Sequence, residues 1–493
     1  MDELRQEVLW FGDSPSAASS REFANRRLTV TPVADGAPLP PLASVAAAVF
    51  AFPRRERKAL HAAAATHART LVDHGARVDV TAPDDATMGR LQARLGPLLG
   101  LPNVNVRTAP KPFEVAEGVA RHPAGWKPRS DLQIVVADNR EPIRKADEPL
   151  FQRAFHHCRR IALVELTGGR SAARVFAVHM TVDRSDAGVW PQPAFVKLDR
   201  NDKIAREAQH YREYAEKFIP FGLRPNIQDV IVGGERSLLV GDFVDRSESL
   251  WDLARRNVAA SAVTALIDET LGGWRDQAYA TDPVEGSVAR AMVEAGLCDP
   301  ARLRPSYPEM AASFGALICP ETLWNQLFAI TQRYRVAPVH GDLHGENIRI
   351  RNGRAILIDL ASVARGPLTA DLAALETWFA FELPPGHPEE QFEDCGWREE
   401  INRLYAPSAF QHPPGPCEPT SRLGWMSTVV RQIRHMGIAA QSCPTEYQTA
   451  VAVQLLRRCQ WDDGPPADRY RRGLGYAVAA RLAQDATCRS ARS

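Results

Sequence analysis

From Val339 to Ile350 the chain reads VHGDLHGENIRI, and AILIDLASVARGPLTADLA follows through Ala373. Two carboxylates, Asp342 and Asp359, flank the side-chain amide of Asn347 in this stretch. Phosphoryl transfer asks a protein for little covalent work; it needs a nucleophile held in place and metal ions that neutralise phosphate charge. One base and two oxygen ligands for a metal meet that need, provided they are fixed. The local pattern places Asp342 in a turn, Asn347 at the close of the same loop, and Asp359 at the end of the β-branched run Ala355 to Ile358.

The order base, metal ligand, strand, metal ligand is that of a kinase catalytic loop. At these residues the sequence resembles the aminoglycoside and choline phosphotransferase branch of the protein-kinase-like fold. The resemblance implies Asp342 as catalytic base, Asn347 and Asp359 as ligands of Mg2+, and ATP as donor. Three features depart from protein kinases. Gly341 replaces the arginine that reads a phosphorylated activation loop, Leu360 and Ala361 follow Asp359 in place of Phe and Gly, and Asp371 arrives in DLA without an APE segment. These departures favour the small-molecule branch and argue against activation by loop phosphorylation. The resemblance covers residues 155–380 closely and the rest loosely.

Such a site needs an upstream lobe with a phosphate-contacting lysine on a strand and a carboxylate on a helix to orient it. Arg160 to Leu166 and Arg174 to Thr181 read as two strands joined by the small-residue turn TGGRSA, whose Gly168 and Gly169 could cover phosphates. Pro193 to Leu198 reads as a third strand carrying Lys197, and Asp202 to Phe218 as an amphipathic helix carrying Glu207. The expected nucleotide clamp is Lys197 with Glu207; Glu213 competes on the same helix. Ser237 to Val244 is expected to enter the hinge, with backbone groups near Gly241 and Phe243 meeting the nucleotide base.

The first hundred or so residues have another rhythm. Val8 to Phe11, Leu28 to Val33, Ala46 to Phe52, Arg77 to Val80 and Val104 to Arg107 read as strands. Helical runs Ser19 to Arg27, Arg55 to Gly75 and Thr87 to Leu99 lie between them. This alternation predicts a parallel α/β sheet of receiver or flavodoxin-like type. The segment resembles a response-regulator receiver at Asp13, at Thr81 and Ala82, and at Lys111, Pro112 and Phe113. Its third strand, however, ends in Phe52, Pro53 and Arg54, where a phosphate-accepting aspartate would stand. The resemblance therefore implies a degenerate receiver used for docking or self-association through residues 1–113; the alternative is an unrelated flavodoxin-like domain in which Lys111, Pro112 and Phe113 match by chance.

The chain has 493 residues and a formal net charge of +1, which gives no general nucleic-acid or acidic-membrane signal. It contains no membrane-length apolar run, and MDELRQEVLW is acidic where a secretory signal would be basic, so cytoplasmic localisation is expected. Eight cysteines without a CxxC pair read as reduced thiols, several of them buried, and His156, His157 and Cys158 are too close in sequence to face a common metal.

Beyond the hinge, Ser249 to Arg256, Ser261 to Leu271, Val284 to Gly296, Glu321 to Tyr334, Leu372 to Phe381, Ser427 to Gln441, Thr445 to Gln460 and Arg469 to Ala486 read as helices. The Pro-rich stretch Leu383 to Pro419 carries Glu389, Glu390, Glu393 and Asp394, which could select a cationic acceptor but read first as a solvated face. Arg431, Arg434, His435, Arg457 and Arg458 could contact an anionic acceptor; helix-surface placement is the plainer reading.

The expected architecture is thus an α/β domain at 1–113, a connector at 114–154, a kinase-like N-lobe at 155–245 and a C-lobe with helical insertions at 246–493, the last two forming a bilobal α+β kinase-like domain. Its expected activity is ATP-dependent phosphorylation of a small-molecule or protein hydroxyl, regulated or recruited through the first domain. The competing expectation is a nucleotide-binding, pseudokinase-like scaffold in a multi-component bacterial signalling or defence system.

Overall fold

The computed structural model describes residues 6–101, 103–121, 125–137, 140–166, 173–182, 192–382, 395–412, 414–416, 422–462 and 466–490. They form two compact units, one reaching to Ala208 and including Asn226–Asp245, the other comprising Gln209–Pro225 and the chain from Arg246 onward.

The first unit opens with five strands, β1 Gln6–Gly12, β2 Leu28–Val33, β3 Val45–Ala51, β4 Arg77–Ala82 and β5 Val104–Thr108, paired in parallel in the order β2-β1-β3-β4-β5. Four helices accompany them: α1 Ala17–Ala24, α2 Lys58–Asp73, α3 Asp85–Leu99 and α4 Pro112–Arg121. Both sheet faces are covered, which is why β1 and β3 read as continuous apolar runs and not as alternating ones. Leu9, Phe11, Ala48 and Phe50 face a core shared with Leu60, Leu71 and Leu91, while Val8, Trp10, Ala47 and Val49 face Phe23, Val115, Ala116 and Val119. Helix α4 falls in the stretch expected as connector; its apolar Val115, Ala116 and Val119 share one face and complete the second core. No helix joins β2 to β3; residues 34–44 make that crossover irregularly. A hollow of about 560 Å³ opens where β1, β3 and β4 end, lined by Trp10, Asp13, Phe52, Arg54, Thr81 and Pro110 among others.

A second, six-stranded sheet follows in the same unit. It comprises β6 Gln133–Val136, β7 Cys158–Glu165, β8 Arg174–Val182, β9 Ala194–Arg200, β10 Ile227–Val232 and β11 Arg236–Asp242, in the order β10-β11-β9-β8-β7-β6. The apolar run Leu132 to Ala137 thus belongs to this sheet, pairing in parallel with β7. Helix α5, Glu148–Ala154, packs Leu150 and Phe151 on one face against Val196, Leu198, Leu238 and Val240. On the other face α6, Asn201–His210, packs Ile204 and Ala208 against Leu239. The helix expected over Asp202 to Phe218 is interrupted by a π-helical turn, Tyr211–Ala215.

The two sheets are fastened by Arg153. Its guanidinium donates to the carbonyls of Val72 and Asp73 at the end of α2 (3.0 and 3.1 Å), of Val232 (2.8 Å) and of Trp126 (3.0 Å). Burial pulls its pKa down to about 10, so it remains a cation at neutral pH. Asp73 reciprocates by accepting from Gly234 N at 2.7 Å.

In the second unit, Val336–Val339 pairs antiparallel with Ala364–Pro367, and Ile348–Arg351 forms a hairpin with Arg354–Leu357. Asn352 and Gly353 turn that hairpin with φ of 54° and 75°, the left-handed pair that a two-residue hairpin turn requires. Helices Ala370–Phe381, Gly424–Ala440, Glu446–Arg458 and Pro466–Ser490 pack around this core. Two expected helices are corrected. Glu321 to Tyr334 divides into helix Pro320–Ala329 and strand Gln332–Tyr334, and Val284 to Gly296 into strand Val284–Gly286 and helix Val288–Glu294; these two strands pair. Within the Pro-rich stretch lies helix Cys395–Leu404, which buries Trp397, Ile401 and Leu404. Among the described residues no helix is long and apolar enough to cross a membrane, and Cys158, Cys298 and Cys459 are buried.

Replacing Arg153 by methionine removes these four hydrogen bonds, the one to Val72 O buried and the other three part-buried. Arg153→Met should lower stability in urea unfolding of the full chain by about 2–4 kcal/mol; a change under about 0.5 kcal/mol would show that Arg153 does not fasten the sheets.

Candidate active site

Lys197 stands on β9, where Val196 and Leu198 point into the core against α5. Strand alternation turns Lys197 to the opposite face, which α6 covers. There Lys197 Nζ lies 2.8 Å from Glu207 Oε2, with both residues buried. A buried pair at this distance fixes the ammonium by charge-assisted hydrogen bonding. The competing carboxylate, Glu213, is instead bonded by Gln209 Nε2 at 2.9 Å on an exposed face. Gly241 is buried on β11, and a Cβ there would come within 2.7 Å of Asn226 O, so close backbone approach requires glycine. Nearby, Asp242 N donates to Asn226 O, and Phe243 O accepts from Asp245 N, both at 2.9 Å. Gly168 and Gly169 lie outside the described residues.

In the second unit, strand Val336–Val339 delivers the chain to His340. His340 is fully buried; its Nε2 lies 3.0 Å from Ile358 O, while Nδ1 accepts from Asp342 N at 3.3 Å. These partners select the neutral tautomer protonated at Nε2. The carboxylate of Asp371 accepts from His340 N at 2.6 Å and from Gly341 N at 3.1 Å. Burial raises the Asp371 pKa, and the two backbone amides it accepts from oppose that rise. Gly341 has φ +77°, and a Cβ there would lie 2.2 Å from Ser362 O. The glycine that stands in place of the kinase arginine is therefore demanded by backbone packing.

Asn347 Nδ2 donates to Asp342 O at 3.0 Å, and Asn347 O accepts from Ile358 N at 3.0 Å. The hairpin register, Ile348 opposite Leu357, brings Asn347 and Asp359 to the same end. Asp359 takes the left-handed conformation, φ 58° and ψ 73°, a strained state for a non-glycine residue that clusters at functional sites. The donor set suits a hard cation. With the Asn347 nitrogen committed to Asp342 O, its amide oxygen and the Asp359 carboxylate are the oxygen ligands on offer. Among the described residues no group of three or more His, Cys, Asp and Glu side chains gathers to hold a metal. Two oxygen donors fit a hard divalent cation that takes its remaining ligands from water and phosphates.

The Asp342 side chain is half exposed and has one protein partner unexpected from sequence: Arg457 Nη2 donates to its Oδ1 at 3.0 Å. Arg457 ends helix Glu446–Arg458, and nothing local in the sequence ties it to a loop more than a hundred residues earlier. Arg434, also expected on a helix surface, is buried and bound to Glu376 at 2.6 Å; His435 is exposed, and Arg431 donates to Pro414 O. Beside Asp342, His344 packs on Trp378 (5.6 Å between centroids), and burial lowers its pKa to about 4. Glu389, Glu390, Glu393 and Asp394 lie outside the described residues.

Residues 257–406 match the family model of the phosphotransferase enzyme family, a span that contains Asp342, Asn347, Asp359 and Asp371. That match supports a phosphotransferase enzyme. No curated protein matches the chain. Among solved structures, the chain is similar to a thermostable mutant of aminoglycoside phosphotransferase APH(4)-Ia, at 13% identity over 67% of this chain and 95% of that one, with a TM-score of 0.34. Glucosamine kinase in complex with glucosamine, ADP and inorganic phosphate matches at 12% identity over 64% and 92%, TM-score 0.33. Aminoglycoside phosphotransferase APH(3'')-Id from Streptomyces rimosus matches at 17% identity over 57% and 96%, TM-score 0.29.

The helix that carries Arg457 begins at buried Glu446, which accepts from Thr369 Oγ1 at 3.0 Å and from Ser442 N. Burial raises its pKa from 4.5 to about 7. A carboxyl raised in the folded state contributes stability that is full below its unfolded pKa and lost as pH rises through the folded one. Between pH 4.5 and 7 the protein should therefore lose up to about 3 kcal/mol relative to Glu446→Gln. Thermal unfolding at pH 5 and 7.5 measures this; parallel melting shifts in the two proteins would show that Glu446 is ionised throughout.

Proposed function

We propose that this protein transfers the γ-phosphate of ATP to a hydroxyl of an acceptor, with Asp342 as the base. The observation that carries the proposal is the fixing of Asp342: its backbone N–H is held by His340, its carbonyl by Asn347, and its loop by Asp371. A binding module has no use for a carboxylate positioned in this way.

In the proposed reaction the acceptor oxygen forms a bond to the γ-phosphorus while the bond from that phosphorus to the β–γ bridging oxygen breaks, its electrons leaving with ADP. Asp342 orients the hydroxyl and takes its proton. Lys197, held by Glu207, contacts the donor phosphates, and the backbone near Gly241 and Phe243 meets the base. Gly168 and Gly169 keep their proposed role over the phosphates. Mg2+, when bound through Asn347 and Asp359, would neutralise phosphate charge.

The N-terminal sheet, in this reading, is a degenerate receiver used for recruitment. The end of its third strand supports the idea: Phe52 is buried, Arg54 pairs with Asp84 at 3.1 Å, and Asp13 pairs with Arg57 at 3.0 Å. The strand tip offers no carboxylate to accept a phosphoryl group.

Asp342→Asn should abolish ADP formation while leaving nucleotide affinity within about twofold, and Asp359→Ala should weaken Mg2+-dependent nucleotide binding by tenfold or more. Calorimetric titration beside a coupled ADP assay separates the two effects; undiminished turnover in Asp342→Asn would remove Asp342 from the mechanism. Acetyl phosphate should leave residues 6–121 unlabelled, and a phosphorylated Asp13 seen by mass spectrometry would overturn the degenerate-receiver reading.

A further inference from the structure

Arg457 is the residue whose placement the proposed reaction does not explain. An arginine in the last turn of a helix ordinarily faces its own helix carbonyls or solvent. Arg457 instead reaches out of helix Glu446–Arg458 to the carboxylate of Asp342, with 18% of its side chain exposed against 50% for Asp342. Its neighbours are committed elsewhere: Arg458 pairs with Glu382, and Arg472 donates to Trp461 O at 2.7 Å. Among the described residues the Arg457 guanidinium makes one hydrogen bond, to Asp342 Oδ1. A guanidinium carries five N–H donors, so the Asp342 contact engages one of five.

The position of Arg457 is set rigidly. Residues 446–456 of its helix are all buried, and Gln454 Nε2 donates to Ala370 O at 3.3 Å, next to the Asp371 that braces the catalytic loop. A planar fork of donors fits a carboxylate or phosphate in a way that an ammonium or hydroxyl cannot reproduce. With Oδ1 held by Arg457, Oδ2, 4.0 Å from His344 Nε2, is the oxygen left for an acceptor hydroxyl. The same contact sets a cation beside the reacting group, and like charges repel at such range.

Resting on the phosphotransferase reading, we propose that the acceptor is a hydroxyl compound bearing an anionic group, a carboxylate or phosphate within roughly 3–6 Å of the reacting oxygen, and that Arg457 binds this group. Arg457 is then the specificity residue of the acceptor side, selecting against the polycations that an acidic acceptor loop would gather. It lies outside the 257–406 segment that matches the family model.

The test uses the full chain with Mg2+ and ATP and three probe sets: hydroxy acids and sugar phosphates (glycerate, gluconate, glycerol 3-phosphate, glucose 6-phosphate), neutral polyols (glycerol, glucose), and amino sugars (glucosamine, kanamycin). ADP release above the acceptor-free rate is measured for wild type, Asp342→Asn, Arg457→Gln and Arg457→Lys, with thermal unfolding to confirm that each variant folds. The expected result is stimulation by anionic probes, with carboxylate and phosphate members distinguishing the two anion sources. In Arg457→Gln the acceptor KM should rise tenfold or more while the KM for ATP stays within twofold, and Arg457→Lys should recover part of the loss. Asp342-dependent stimulation by neutral or cationic probes alone, or an anionic acceptor whose KM is unmoved in Arg457→Gln, would overturn the assignment and leave the phosphotransferase reading standing. Absence of Asp342-dependent stimulation by every probe would count against both readings.

Discussion

The loop from His340 to Asn347 depends on one buried carboxylate. Asp371 accepts the backbone N–H groups of His340 and Gly341, and those two bonds hold a turn that has no helix or sheet ladder of its own. Burying a charge is costly unless hydrogen bonds compensate it, and here the compensating donors are the loop itself. From this brace the rest follows in order. His340 bonds Ile358 O and Asp342 N, Asn347 bonds Asp342 O, and Gly341 closes on Ser362 so tightly that any side chain would collide with it.

The first unit solves the matching problem for Lys197 by geometry. β9 lies inside the six-stranded sheet with a helix packed against each face, so alternation alone separates the buried aliphatic residues from the lysine. The N-terminal sheet is joined to this arrangement through Arg153 and through the Asp73 to Gly234 contact. The turn that carries Gly233 and Gly234 also receives Asn201 Nδ2 at 2.9 Å, at the first residue of α6. The helix bearing Glu207 is thus anchored at its start by the same turn that meets the N-terminal sheet's helix α2.

Much of this was legible in the order of residues, because local patterns determined it. The β-branched runs marked the strands, and the spacing of Asp342, Asn347 and Asp359 reflects one loop and one hairpin. The Asn352-Gly353 turn that sets the hairpin's register is itself a short-range signal. What escaped is what long-range packing decides. Helix α4 was hidden because only its contact with β1 and β3 explains its apolar face. The break after Ala329 arises because Gln332–Tyr334 pairs with a strand nearly fifty residues earlier. Asp371 was visible as a position but not as a brace, and Arg457 carried no local signal, since its partner is distant in sequence and close only in the fold.

The most direct test of the central claim is the fate of the terminal phosphate. Purified full-length protein would be incubated with Mg2+ and γ-labelled ATP in desalted and undesalted cell extract, beside Asp342→Asn, with every labelled product resolved by mass. The account predicts label in a phosphate ester of a hydroxyl compound, formed by the wild type and absent with Asp342→Asn. Label recovered only as inorganic phosphate, or an ester formed equally by both proteins, would contradict it.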